Sequence, residues 1–280
     1  MNMDDEIHQG WGLDPTFNSA LRLGHIRKLL DREAWSEAVL EAEEFLDEHP
    51  QHVQALELLA LGQVGLADAE GAVITWEQVL ALDPRPTAAR LTSLAMARLD
   101  TCDLHGAITD AREALRLDPS QAEAHFTLGL ALEYLPGRSS ESAQALLAAN
   151  RLAPESYPFP LTLDANGWEQ ALTTALLHVA PEVRELWDGV PVRLPERPAL
   201  EDLTAHAPPV SPRVLGMFLG APPEQGDPWQ TPPEGLVLFS SNLARVPSLQ
   251  DLVQRLAEVL EQEALVWAGE DPWGPEDLRG

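Results

Sequence analysis

Ala72-Val73-Ile74-Thr75-Trp76-Glu77-Gln78-Val79-Leu80-Ala81-Leu82-Asp83-Pro84 returns 35 residues on as Ala107-Ile108-Thr109-Asp110-Ala111-Arg112-Glu113-Ala114-Leu115-Arg116-Leu117-Asp118-Pro119. Both stretches open on a small residue and close on Leu-Asp-Pro. Outward from this pair the frame continues. Pro50 stands 34 residues before Pro84 and Pro154 stands 35 after Pro119, each with a small residue twelve positions earlier, Ala38 and Ser142. Self-similarity at this period predicts stacked helical hairpins, because one hairpin cannot bury its apolar face alone. Each element of the frame has a physical task. The proline ends a helix, offering no amide hydrogen and clashing with the preceding turn. The small residue lets two helix backbones approach.

The period, the small residue in the second helix and the closing proline resemble the tetratricopeptide repeat family over residues 20–153. The resemblance implies an N-terminal all-α solenoid of four helix pairs. Leu56, Leu59, Ala72, Trp76 and Val79 fall on family core positions in the second repeat, and Leu91, Leu94, Ala107 and Ala114 in the third. The outer repeats are less regular. His25-Ile26 stands where Leu-Gly is usual, and Leu135-Pro136-Gly137-Arg138-Ser139-Ser140 gives the fourth repeat a looser turn. Irregular ends are expected where a stack must be capped. Such stacks line a groove with their first helices and bind peptides or helices of partner proteins. Family register places Arg27, Gln54, Glu57, Leu61, Val64, Thr92 and Met96 along it, with Leu23, Leu30, Ala89 and Leu99 among them. The Lys/Asn/Arg carboxylate clamp of some family members is missing, since Leu23, Leu58, Ala89 and Ser93 occupy its places. The resemblance therefore implies a groove for apolar or helical segments, with Arg27 its one cation.

Composition narrows the function classes. The net charge is −27, from 45 acidic against 18 basic side chains, and Lys28 is the sole lysine. Such a surface repels nucleic acid and anionic lipid, so neither is an expected partner. The start Met1-Asn2-Met3-Asp4-Asp5-Glu6 is acidic rather than signal-like, and no apolar run suits a bilayer, so a cytoplasmic protein is expected. Cys102 is the single cysteine and excludes an internal disulfide framework. His49-Pro50-Gln51-His52 has a metal-like spacing but no acidic or sulfur neighbour, and His178 and His206 also read as structural. No phosphate loop and no Gly-x-Ser-x-Gly elbow occur, and no cofactor is expected.

After Pro154 the chain changes character. Residues 155–280 hold 17 of the 24 prolines, and the repeat frame stops. The expected domains are an acidic tail or cap over 1–19, repeats over 20–154, a small α+β domain over 155–270 and a tail over 271–280. Within the third, helices are predicted over Trp168–His178 and around Glu182–Trp187. Strands are predicted over Val190–Leu194, held to a sheet edge by its prolines, Val214–Leu219 and Gly235–Ser240. Ser248 with Asp251 predicts a helix from Leu249, with the apolar stripe Leu249, Leu252, Val253, Leu256, Leu260 and Trp267. Glu263 falls in the middle of that stripe, where a carboxylate is costly unless paired, protonated or open to a cleft.

The order of these elements and the ending Gln262-Glu263-Ala264-Leu265-Val266-Trp267-Ala268-Gly269 resemble a compact bacterial zincin-like metallopeptidase domain over about residues 165–278. That family's helix ends His-Glu-x-x-His-x-x-Gly. Glu263 and Gly269 match in register, but Gln262 and Val266 take the places of the two zinc-binding histidines, and the third ligand would fall near Pro272, beside Asp271. The resemblance implies a metallopeptidase fold without its metal, Glu263 being the remnant of the general base. Three readings stay open: a protein-interaction or adaptor protein with a non-catalytic zincin-like domain; a zinc-dependent metallopeptidase using Glu263 and other ligands; and a structural subunit whose second domain packs onto its own groove.

Overall fold

The computed structural model describes residues 15–223 and 225–270. The tail expected over 271–280, and all but the end of that expected over 1–19, lie outside the described residues. The chain forms two compact units, Met1–Arg85 and Pro86–Gly280.

The first unit holds α1 (Pro15–Leu30), α2 (Trp35–Glu48), α3 (Val53–Gly65) and α4 (Ala69–Leu82). The second opens with α5 (Ala88–Asp100), α6 (Leu104–Leu117), α7 (Ala122–Glu133) and α8 (Ser139–Leu152). These are four helix pairs, two in each unit, at the spacing of the sequence frame. The backbone repeats it too: the turn inside each pair carries one left-handed residue, Glu33 (φ 60°), Ala67 (φ 59°), Cys102 (φ 62°) and Gly137 (φ 74°). After two of these turns an aspartate caps the next helix. Asp68 and Asp103 accept from the Gly71 and Gly106 N–H groups, each at 2.9 Å.

The small residues sit where close packing needs them. Ala38, Ala72, Ala107 and Ser142 are all buried, and the Ser142 hydroxyl donates to the Gly129 carbonyl at 2.8 Å. At Gly129 an added Cβ would lie 2.6 Å from Leu146 Cγ, so α7 and α8 meet closely enough to exclude a side chain.

The rest of the second unit is α9 (Ala165–Leu176), α10 (Pro181–Trp187), β1 (Val192–Arg193), α11 (Leu200–Thr204), β2 (Gly216–Leu219), a 3-10 turn (Pro228–Gln230), β3 (Gly235–Leu238), α12 (Ser240–Leu243) and α13 (Leu249–Ala268). The sheet order is β1-β3-β2, β1 parallel and β2 antiparallel to β3. Val192 pairs with Leu236 and Phe218 lies opposite it on the other side. The prolines beside β1 do hold it to an edge. Helix α13 starts where the Ser248 hydroxyl accepts from the Asp251 N–H at 3.2 Å and stops at left-handed Gly269 (φ 77°). Its buried face is Leu252, Leu256, Val259, Leu260, Ala264 and Trp267, packed with Trp168, Val183, Trp187, Leu236 and Leu238 into one core. Leu249, expected in that stripe, is instead exposed, standing at the first helical position ahead of the packed turns.

The compact boundary at Arg85 and the change of sequence character at Pro154 are different features. Part of the C-terminal region lies on α5 and α7, with Leu200 packed against the core of those repeats, and this holds repeats three and four to it.

Candidate functional site

On α3, Gln54, Glu57, Leu61 and Val64 are spaced at helical intervals and share one face. Gln54 and Glu57 are half-buried, while Leu61 is 43% and Val64 36% exposed. Arg27 on the neighbouring α1 is exposed and Leu23 buried. This part of the expected groove presents apolar surface beside a cation.

In the second unit the same register looks different. Thr92 is buried and donates its hydroxyl to the Ala88 carbonyl at 2.8 Å, satisfied inside its own helix. Met96 is buried too, its sulfur 3.8 Å from the Thr127 hydroxyl of α7. These two lie in the packing between helices, so they are not displayed.

The face of α5 and α7 is covered by the chain itself. Asp100, buried at the end of α5, accepts from two guanidinium nitrogens of Arg213, Nε at 2.8 Å and Nη2 at 2.5 Å, and from the Ser211 hydroxyl at 2.5 Å. The Cys102 thiol donates to the Val210 carbonyl at 3.4 Å and the Tyr134 hydroxyl to that of Pro212 at 3.4 Å. Burial pushes the Tyr134 hydroxyl up to about 12, and burial with nearby Asp100 raises the Cys102 thiol. At the end of α7, Glu133 accepts from Arg245 Nη2 at 2.8 Å, and the Arg197 Nη1 donates to its carbonyl at 3.1 Å. The Arg245 guanidinium also lies 5.7 Å from the centre of the Phe126 ring. Phe126 and Glu133 stand one repeat on from Thr92 and Leu99, hence on the groove register itself. No period or cap in the sequence marks this cover, and the place of Asp100 is held by Gly65 in repeat two and Tyr134 in repeat four.

Glu263 lies across the sheet edge. Leu215 and Leu219 carbonyls accept from β3-side amides, so the alternate Phe218 N–H points to the open side of β2. It donates to Glu263 Oε2 at 3.1 Å. Burial pushes the Glu263 carboxyl up to about 7, against the opposing pull of that N–H. Phe218 and Trp267 meet edge to face beside it, ring centres 5.1 Å apart.

The donors around Glu263 do not fit a zinc ion. Val266 carries no donor atom and is exposed. Among the described residues no three His, Cys, Asp or Glu side chains stand close enough to share a metal. Asp271 and Pro272 lie outside the described residues. Three of the histidines have structural partners: His49 and His52 pack on Phe45 at 4.9 and 5.2 Å, and His178 Nδ1 bonds the Thr174 carbonyl at 2.8 Å, while His206 is exposed.

No family model and no curated relative matches the chain. Among solved structures, MamA AMB-1 is similar at 20% identity and TM-score 0.43 over 50% of this chain and 75% of that one. MamA MSR-1 is similar at 19% and 0.43, over 51% and 82%. YrrB, described as a TPR protein with an unusual peptide-binding site, is similar at 16% and 0.42, over 48% and 68%. The repeat assignment rests on this chain's own helix pairs and their period. Among the described residues no helix is long and apolar enough to cross a membrane.

Proposed function

We propose that this chain is a protein-interaction module of the cytoplasm whose receiving face lies on α1 and α3. The contact residues are Arg27, Gln54, Glu57, Leu61 and Val64, and the partner offers an apolar helical segment. One observation carries the reading: Leu61 and Val64 are large apolar side chains left exposed on a groove face whose counterparts Met96 and Leu99 are buried. Thr92 and Met96 support the helix packing behind the second half of that register. The charge of −27 favours neither nucleic acid nor anionic membrane as partner. Residues 155–270 serve as a scaffold, a zincin-like domain in which Gln262 and Val266 replace the metal ligands and Glu263 ties α13 to the edge of β2. A photo-crosslinking residue at position 61 tests the reading. It should trap a protein partner that the same residue placed at outward-facing Ile74 does not, and the Val64→Asp chain should lose that partner with its circular dichroism unchanged. Equal trapping from both positions would sink it.

A further inference from the structure

The chain holds 18 basic side chains against 45 acidic ones, yet one arginine is committed to a single buried carboxylate. Ser211-Pro212-Arg213-Val214 is a β-turn closed by the Val214 N–H to the Ser211 carbonyl at 3.0 Å, with proline at the position that favours it. The turn projects Arg213 onto Asp100 in a two-pronged pairing that a lysine cannot reproduce. The recognition extends beyond the charge. Ser211 adds a third bond to Asp100, the Tyr134 hydroxyl reads the Pro212 carbonyl of the turn, and the Cys102 thiol reads the carbonyl of Val210 just before it.

Asp100 is not required by the repeat. Gly65 and Tyr134 hold the same position in the flanking repeats. An aspartate at 8% exposure is costly unless a cation meets it. We propose that the α5–α7 face is a binding site for an arginine presented on a proline turn, and that the chain fills it in cis with its own Ser211-Pro212-Arg213. Tethering keeps the turn at high effective concentration, so an outside peptide of the same kind competes poorly until the internal arginine is removed. This site is separate from the α1–α3 face and stands or falls without it.

The probe is a fluorescent peptide of the chain's own sequence, Pro209-Val210-Ser211-Pro212-Arg213-Val214-Leu215, titrated into full-length protein. The Arg213→Ala chain should bind it at least ~10-fold more tightly than wild type. That binding should vanish when the peptide's arginine is replaced by alanine, and when Asp100→Asn is added to the chain. Arg213→Ala leaves a buried carboxylate unpaired, so the variant is also refolded with and without the peptide. A variant that fails to fold alone should regain its helical signal with the arginine peptide and not with the alanine one. Binding no tighter than wild type by a folded variant, equal binding of both peptides, or no rescue of an unfolded one would overturn the proposal.

Discussion

Repeats one and two and repeats three and four share a backbone and differ in what their first helices meet. In the first unit α3 leaves Leu61 and Val64 exposed. In the second, the corresponding residues are buried, and α7 presents Phe126 and Glu133 to arginines of the same chain. The difference extends to one constellation that occurs twice. Arg22 sits 5.1 Å over the Phe45 ring and bonds Glu48 at 3.1 Å, with the Glu48 side chain 64% exposed. Arg245 sits 5.7 Å over the Phe126 ring and bonds Glu133 at 2.8 Å, with side chains only 9% and 16% exposed. One arrangement is surface decoration and the other is part of an interior seam. The helix pair sets positions; the side chains on them decide whether the face is open or taken.

The largest expected effect breaks the taken half. Met96→Asp places a charge with no partner in the packing between α5 and α7, at a cost of ~3–5 kcal/mol. Urea unfolding should show the second unit losing much of its stability. A change under ~1 kcal/mol would mean that Met96 faces solvent as Leu61 does.

The paired arginines sharpen the contrast. Arg245→Ala removes a mostly buried cation and leaves Glu133 poorly compensated, for ~2–4 kcal/mol. Arg22→Ala breaks an exposed pair worth under ~1 kcal/mol. Added salt should further shrink the second effect and hardly touch the first. Equal costs in chemical denaturation would erase the distinction between the halves.

The repeat half was legible because its signals are local. Ala38, Ala72, Ala107 and Ser142 come at a fixed interval and each is buried. The Ser248 cap and Gly269 stop of α13 were likewise written in neighbouring residues, as were the edge prolines of β1. The cover over α5 and α7 was not. Asp100 and Arg213 are 113 positions apart, and no period or cap links them. Single-turn α11 and α12 leave no periodic trace either. Glu263 was legible as an anomaly in an apolar stripe, but its partner, the Phe218 N–H, follows only once β2 is known to be an edge strand.

Glu263 supplies a middle-sized effect, one with a pH signature. Its carboxyl titrates at about 7 in the folded chain against the ordinary 4.5. A raised acid favours the folded state while protonated. Stability on this account is full below the ordinary value, falls as pH climbs through the interval up to 7, and stays low above it. Glu263→Gln keeps an acceptor for the Phe218 N–H and removes the charge. It should stabilise by ~1–3 kcal/mol at pH 8 and by almost nothing at pH 4. Melts across that range check it. A destabilised variant at pH 8 would show that the ionised carboxylate is wanted, and with it the metallopeptidase reading would gain ground.

The smallest stability change belongs to the open half and carries the most functional weight. Leu61→Asp adds a charge to a side chain already 43% exposed, so it should shift unfolding by less than ~0.5 kcal/mol. Its register twin Met96→Asp is expected to cost several times more, although the two residues are equivalent in the repeat. If the α1–α3 face receives an apolar helix, Leu61→Asp should nonetheless weaken partner binding at least ~10-fold, because the partner's apolar surface would then bury a charge without a counterion. Isothermal titration beside thermal melts separates the two readouts. Lost binding with an intact melt makes Leu61 a contact residue. Unchanged binding with an intact melt removes the groove of repeats one and two from the interaction surface.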